Sequence, residues 1–310
     1  TWTLAANGNT WSSLNINAGT LQIGNGGTTG KLGSGTIQNE GTLAFNLSSD
    51  LIVTNDINGI AGGVTQNGTG TVTLASSGNT YAGLTVVNSG RLLINGSGGT
   101  TGGAVVNGGS LGGTGTIGGT VFVQPAGALA PGVTIGTLTI NSDLTLGGSV
   151  LVDVNRSLAQ SNDLTVVNGT LSNTNNGWVV VNNLGPALVA GNRFQIFNQP
   201  VLGGELMTVV GAGAIWTNRL AIDGSIAVVS GTLPQPQITT TTVTSTNVVL
   251  SGTNGVAGNP YVVLTSTNLA LPLSTWTRVQ TNVFGLGGTF STTNPVTAGE
   301  PQRFFLLQVP

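Results

Sequence analysis

The residues of this chain that could take part in acid–base chemistry are few, and most are carboxylates. The 310 residues include nine Asp and Glu and seven Lys and Arg, with no His and no Cys. Two carboxylates about 5 to 9.5 Å apart can cleave a glycosidic bond, and the sequence offers Asp50 with Asp56, or Asp153 with Asp163. Turn and solubility roles explain both pairs more simply, because Asp favours turns and exposed positions. The sequence therefore predicts no catalytic residue.

The composition also excludes several other classes of site. Without Cys or His there is no disulfide framework, zinc finger, thiolate nucleophile or histidine base. A net charge of -2 gives no electrostatic basis for binding nucleic acid. Gly-rich residues 108–115 lack the lysine and helix of a phosphate loop, and residues 26–30 lack the aspartate of a calcium-binding repeat. We expect no metal, no cofactor and no nucleic-acid partner.

A repeat organises the elements that must position these residues. Residues 1–10 (TWTLAANGNT) align with residues 71–80 (TVTLASSGNT), and Trp11 then aligns with Tyr81. A shorter motif, Asn-x-Gly-x-Leu, recurs in exact or looser form within this long repeat, with its glycines at positions 19, 41, 70, 90, 109 and 127. The predicted corner and ladder residues of this motif are Asn17, Gly19, Asn39, Gly41, Asn88, Gly90, Asn107 and Gly109.

The motif returns with a period of roughly 20 residues, which is typical of one coil of a parallel β-solenoid. Residues 14–16, 84–87 and 121–123 alternate in polarity and are rich in β-branched types, which indicates short strands. Glycine reaches the positive φ angles that corners require, and asparagines on successive coils can form hydrogen-bonded ladders. Glycine interrupts every stretch that could form a helix, so the sequence predicts an all-β protein.

Residues 62–94 (GGVTQNGTGTVTLASSGNTYAGLTVVNSGRLLI) resemble the autotransporter-associated β-strand repeat of bacterial secreted and surface passengers. Residues 113–140 are similar to the closing segment of such arrays. The resemblance extends over roughly residues 1–230. It implies a right-handed parallel β-solenoid, export from the cell and a surface or extracellular role, and it implies no reaction.

The chain divides into four predicted segments. Residues 1–140 form the regular solenoid, and residues 141–232 form either a looser continuation of it or a β-sandwich-like region. Residues 233–236 (LPQP) indicate a Pro-rich linker. Residues 237–310 predict a small antiparallel β-sandwich, which resembles the fibronectin-type-III-like modules of secreted bacterial repeat proteins.

Localisation follows from the same patterns. The apolar runs are far shorter than the ~20 residues of a membrane-spanning helix, so no transmembrane segment is expected. The first residues lack the basic and apolar regions of a signal peptide. We therefore expect an extracellular or cell-surface protein whose signal peptide is cleaved and not part of this sequence.

The first functional hypothesis is a secreted structural subunit of an extracellular fibre. Because residues 1–10 repeat an internal segment, the first strand is expected to have an uncharged, unpaired edge. Such an edge can pair with a strand of another copy, and a head-to-tail contact that does not close builds a filament. The predicted assembly residues are Thr1, Trp2, Thr3 and Leu4.

Two alternatives remain open. The chain could be a monomeric adhesin or passenger that binds surface glycans or other cells. A polysaccharide-acting β-helix enzyme is the third reading and requires two clustered carboxylates. Trp2, Trp11 and Tyr81 could form a sugar-stacking surface, but packing roles are favoured because Trp11 and Tyr81 are equivalent in the repeat.

Overall fold

The computed structural model describes residues 1–230, 236–296, 299 and 302–309. The described residues form an all-β protein, with a parallel β-solenoid followed by antiparallel sheets, as the sequence predicted. Two compact units are present: residues 1–210 with 216–229, and residues 211–215 with 230–310. Residues 233–235 of the predicted linker lie outside the described residues.

The first sheet of the solenoid contains nine parallel strands, one from each successive coil. In order along the sheet they are β1 (Trp2–Leu4), β3 (Thr20–Ile23), β5 (Thr42–Phe45), β8 (Gly63–Gln66), β10 (Thr85–Val87), β12 (Ala104–Val106), β15 (Val121–Val123), β18 (Leu144–Leu146) and β21 (Leu171–Asn173).

The second sheet contains eight strands and begins at the third coil. Its strands are β6 (Leu51–Val53), β9 (Thr71–Leu74), β11 (Arg91–Ile94), β13 (Gly109–Gly113), β16 (Gly127–Pro131), β19 (Ser149–Val154), β22 (Trp178–Asn183) and β24 (Thr208–Gly211).

Two short sheets complete the third face of the coils. They contain β2 (Ser13–Ile16), β4 (Thr36–Asn39) and β7 (Ile57–Asn58), and then β14 (Thr116–Ile117), β17 (Thr137–Ile140) and β20 (Leu164–Val167).

The core consists of columns of inward-facing side chains stacked in register. One column of the first sheet starts at Trp2, which pairs with Leu21, and continues through Leu43 and Val64. Leu43 and Val64 are fully buried. Since alternate residues of a strand face opposite sides, every member of a column faces the same side. Trp2 therefore occupies a core-column position.

Coil length varies along the solenoid, as the pairing in the first sheet shows. Ala104 pairs with Val121, Val121 pairs with Leu144, and Leu144 pairs with Leu171. The number of residues in a coil therefore increases from the first of these three coils to the second, and again from the second to the third. Because the strands stay short, the added residues form loops at the corners.

The long sequence repeat is out of phase with the coils. Residues 1–4 and 71–74 align in sequence, yet β1 lies in the first sheet and β9 in the second. Three coils separate Trp2 from Val64, and Val72 follows on the next strand, β9. One repeat thus contains three full coils plus the step to the next face.

The first unit ends with a three-stranded sheet and two short helices. The sheet has the order β23 (Arg193–Gln195), β26 (Ser225–Ser230) and β25 (Ile215–Arg219), and the helices are a 3-10 turn at Gly204–Leu206 and α1 at Leu220–Asp223. Asp223 accepts hydrogen bonds from Arg193 at 2.6 Å and Arg219 at 2.8 Å. These ion pairs join helix α1 to strands β23 and β25 of this last sheet.

The second unit contains two three-stranded antiparallel sheets and two 3-10 turns, Leu273–Thr275 and Leu286–Gly288. The sheets have the orders β27 (Gln237–Val243), β28 (Asn247–Thr253), β31 (Phe290–Pro295) and β30 (Thr277–Val283), β29 (Pro260–Ser266), β32 (Phe304–Gln308). They share an aromatic core in which the rings of Tyr261 and Phe284 are 4.6 Å apart. The fibronectin-type-III-like assignment stays a prediction.

Glycine is required where corners of successive coils touch. Gly90 and Gly109 have φ angles of 61° and 64°. A Cβ atom at Gly109 would lie 2.3 Å from the Gly90 carbonyl oxygen, and one at Gly90 would lie 2.4 Å from the Gly68 carbonyl oxygen. Both the backbone angle and the stacking distance therefore exclude a side chain.

Replacing Gly109 with Ala should destabilise the solenoid by more than about 2 kcal/mol, because it adds left-handed backbone strain to a steric overlap. Gly8→Ala is the matched control, since a Cβ atom there would have no neighbour within 4 Å. Urea unfolding followed by circular dichroism measures both variants. Equal stability of the two variants would contradict this account of the corners.

Candidate functional site

The predicted asparagine motif forms a side-chain ladder at one corner. Asn88 Nδ2 donates to Asn67 Oδ1 at 2.8 Å, and Asn107 Nδ2 donates to Asn88 Oδ1 at 2.8 Å. All three follow strands of the first sheet and precede strands of the second. The ladder joins consecutive coils. Its hydrogen bonds occupy the amide groups, so these groups serve the packing of coils.

The two earlier copies of the motif lie at a different corner, before strands of the first sheet. Asn17 is exposed there. Asn39 pairs with Ile16 and is fully buried, with Nδ2 donating to the Gly63 carbonyl at 2.9 Å. The structure therefore does not bring Asn17 and Asn39 into one ladder, because the chain slips by one residue between these coils.

The predicted glycines of the early copies also stack. Gly19 has a φ of 74°. A Cβ atom at Gly41 would lie 2.5 Å from the Gly19 carbonyl oxygen. These glycines serve coil packing.

The repeat-equivalent aromatic residues do not form a common stacking surface. Tyr81 is fully buried, its hydroxyl lies 2.8 Å from Thr85 Oγ1, and burial raises the pKa of Tyr81 to about 12. Trp11 is half-buried and lines a groove of about 830 Å³. In that groove the Asn9 and Asn55 amides donate to carbonyls of the surrounding loops. These amides therefore support the loops.

The residues predicted to mediate assembly, Thr1 to Leu4, lie at the end strand of the first sheet. Trp2 is 81% exposed, and β1 pairs with β3 on one side. The exposed ring belongs to the column that Leu21 and Leu43 continue. Its register is therefore that of a core residue.

The first carboxylate pair is divided between two separate contacts to the next coil. Asp50 Oδ1 accepts the Thr71 N–H at 2.9 Å. Asp56 accepts a hydrogen bond from the Ser76 hydroxyl. Each side chain connects its corner to the following coil, which matches the turn role favoured by the sequence.

The second carboxylate pair is brought together. Asp163 donates its N–H to the Asp153 carbonyl at 2.9 Å, and the Asp153 N–H donates to Asp163 Oδ2 at 2.8 Å. Asp163 Oδ1 accepts the Gly136 N–H at 2.9 Å, and Asp153 Oδ1 accepts Asn182 Nδ2 at 2.8 Å. The two side chains thus lie where two loops meet the second sheet.

Burial dominates the electrostatics of Asp163, which is 2% exposed. Burial raises the pKa of its carboxyl to about 7, and the neighbouring Asp153 adds to the rise. The backbone donors of Asp153 and Gly136 and the charge of Arg91 oppose it without cancelling it. Asp163 therefore changes its charge near neutral pH.

These carboxylates border a groove of about 360 Å³ on the outer face of the second sheet. Pro131, Val133 and Asp163 line it from two loops. Each loop turns back along a strand, because Gly132 pairs with Gly113 and Val154 with Asn162. The residues that line it include Arg91, Val133, Leu151, Asp153, Asp163, Val180 and Asn182. We take this groove as the candidate functional site.

Sequence reasoning missed most of this groove. Arg91 comes from β11, three strands of the second sheet before Asp153 on β19. Its own column leads to Ser149, and its side chain reaches the groove by donating to the Gly132 carbonyl. A signal does exist in β22, where the outward positions Trp178 and Val180 are apolar although exposed. Outward apolar residues on a solenoid strand are the pattern to search for.

Two further features concern metals and membranes. Within the described ranges, no group of three His, Cys, Asp or Glu side chains could hold a metal ion. The described residues also include no helix with the length and apolarity of a membrane span.

Comparison with known proteins identifies the repeat. The family model of the Passenger-associated-transport-repeat matches residues 1–23 and 64–94. Over 74 residues, 23% of this chain, the sequence is 55% identical to a Brucella suis biovar 1 (strain 1330) protein described as "Adhesin BmaC autotransporter". Those residues make up 2% of that protein, so the chain spans a small fraction of the relative's length. The predicted resemblance to autotransporter passenger repeats is confirmed.

The prediction of a head-to-tail fibre subunit is wrong. Residues 1–23 and 64–94 match a passenger-associated repeat and the similar protein is named as an adhesin, which favours the alternative hypothesis. The physical error was to read the exposed Trp2 edge as an assembly surface. Trp2 has the register of a core column that continues through Leu21 and Leu43, which is the position of a residue that packs inside the solenoid.

The raised pKa of Asp163 predicts that the solenoid is more stable at pH 5 than at pH 8. The unfolded carboxyl releases its proton near its ordinary value of 3.8, whereas the folded carboxyl retains it up to about 7. Stability from the protonated form is present below the unfolded pKa and is lost as pH rises through the folded pKa. The expected difference between pH 5 and pH 8 is roughly 2 to 3 kcal/mol.

Urea unfolding at both pH values measures this difference in the wild-type chain, in Asp163→Asn and in Asp50→Asn. The difference should largely disappear in Asp163→Asn and persist in Asp50→Asn, whose carboxylate lies at another corner. Equal wild-type stability at both pH values would show that Asp163 is ionised throughout.

Proposed function

We propose that this chain is a segment of an adhesin passenger, a surface-displayed β-solenoid that attaches cells to other cells or surfaces. The observation that carries the proposal is the 55% identity over 74 residues to a protein described as an autotransporter adhesin. The family-model match to residues 1–23 and 64–94 supports the same reading. Because this chain spans 2% of that relative, the adhesive role is proposed for this segment alone.

The fold suits a display function. Nine strands stacked about 4.8 Å apart give a rod of about 40 Å. Backbone ladders and buried columns hold the rod, so its outer faces and corner loops can vary with little effect on the core. The groove beside Val133 and Asp163 is such a surface.

The proposed role is non-catalytic and located outside the cell. Both oxygens of Asp163 accept backbone N–H groups, and Asp153 Oδ1 accepts the Asn182 amide. These contacts hold both carboxylates in structural hydrogen bonds, Asp163 from a loop and Asp153 from β19, which favours binding over the polysaccharide-cleaving alternative. Surface glycans remain a predicted partner class.

Attachment of coated beads to cultured mammalian cells tests this proposal. Beads carrying the 310-residue chain should attach several-fold more often than beads carrying albumin or the heat-unfolded chain. Attachment no greater than with albumin would contradict the adhesin proposal. Periodate treatment of the cells removes glycan targets and protease treatment removes protein targets, so the two treatments distinguish the partner classes.

A further inference from the structure

The groove on the second sheet combines exposed apolar walls with an acidic end. Leu151 pairs with Val180 across β19 and β22, and both line the groove. Trp178 lies two residues before Val180 on the same face of the sheet, outside the groove lining. The three side chains are 38 to 39% exposed, and Val133 of the adjoining loop is 50% exposed. Adjacent exposed apolar side chains that include an aromatic residue are typical of protein-binding surfaces.

The charges at the other end are not balanced. Asp153 and Asp163 together carry two negative charges when ionised, and Arg91 supplies one positive charge. Arg91 Nη2 donates to the Gly132 carbonyl at 3.0 Å, which directs the guanidinium toward the loop backbone. One negative charge is left beside the apolar walls, and it complements a single cation.

We propose that this groove binds a lysine side chain of a partner protein, with the ammonium group at the half-buried carboxylate of Asp153, beside the buried Asp163, and the methylene stem against Leu151 and Val180. The inference rests on the proposed adhesive function, because it names the chemistry of the partner at the cell surface. Lysine side chains commonly place an apolar stem along aliphatic residues and a charge at a polar end.

The hydrogen bonds around Asp163 favour lysine over arginine. A guanidinium binds a carboxylate best through two parallel N–H bonds. Each Asp163 oxygen already accepts a backbone N–H, and Asp153 Oδ1 accepts Asn182. A compact ammonium can use the remaining lone pairs one at a time, so its geometry is less demanding. An anionic ligand would meet two carboxylates against one guanidinium.

The same arrangement couples binding to pH. The charged groups that face Asp163 are Asp153 on β19 and Arg91 on β11. A bound ammonium stabilises the ionised form of Asp163, so binding releases a proton near neutral pH. Affinity for lysine should therefore rise between pH 6 and pH 8.

The test is an NMR titration of the ¹⁵N-labelled 310-residue chain with the tripeptide acetyl-Val-Lys-Val-amide. The amide signals of Gly136 and Asp153 report binding, because these N–H groups donate to Asp163. We expect saturable shifts, affinity that increases from pH 6 to pH 8, and affinity about tenfold or more weaker for the norleucine analogue, which lacks the ammonium.

Two groove variants and one charge control complete the design. Asp153→Asn removes a carboxylate while an amide oxygen can still accept the Asn182 bond, and Leu151→Ala shortens an exposed wall. Both should weaken binding, and Glu205→Gln, which removes an exposed carboxylate outside the groove lining, should not. Amide spectra confirm that each variant is folded.

The proposal is overturned if the lysine peptide causes no shifts, if the norleucine analogue binds equally well, or if Asp153→Asn retains full affinity. Bead attachment separates it from the adhesin proposal. Peptide binding without attachment of wild-type beads would contradict the adhesin proposal alone. Full attachment of Asp153→Asn beads, with peptide binding lost, would show that the groove is not the adhesive site.

Discussion

The whole solenoid depends on in-register stacking of coils through the parallel backbone ladder. Each residue repeats its position about 4.8 Å above an equivalent one, so any property of a side chain is multiplied along a column. Two like charges at this spacing repel by about 0.9 kcal/mol even in bulk water. Stacked charged side chains are therefore unfavourable, which explains why only 16 of the 310 residues are charged. Neutral amides can stack with a hydrogen bond, as Asn67, Asn88 and Asn107 do. Corners likewise require glycine where a carbonyl of the neighbouring coil comes within 2.3 Å of a Cβ position, as at Gly109.

Much of this architecture could be predicted from sequence, because stacking imposes a period that survives in the residues. The alternation in residues 84–87 and 121–123 gave the strands β10 and β15, and the spacing of glycines gave the coil length. The sequence did not predict which side of its strand each motif residue faces. Asn17 and Asn39 have the same motif, yet Asn39 faces inward in the column position of Ile16. A shift of one residue in the pairing between coils moves a side chain to the opposite side of its strand. A motif of five residues does not reveal such a shift.

The groove was the least predictable feature, because it is made by residues distant in sequence. Asp153 and Asp163 were recognised as a possible pair, but their contact depends on a loop that turns back along β19. Arg91 reaches the groove through a hydrogen bond from its side chain to the Gly132 carbonyl, 41 residues away in sequence. The mistaken interpretation of Trp2 has a related cause. An apolar residue at the end of a column and one at a docking surface look alike in sequence, and only pairing with Leu21 distinguishes them.

The phase difference between repeat and coil determines how a longer array would present its surface. Residues 1–4 and 71–74 occupy neighbouring faces, so each tandem copy of this unit would begin one face further around the rod, and three copies would return to the starting face. Equivalent side chains of successive copies would then lie on a helical path around the axis of the rod. Each of the three faces of such a rod would carry the same side chains. A partner could therefore bind from any direction around the axis.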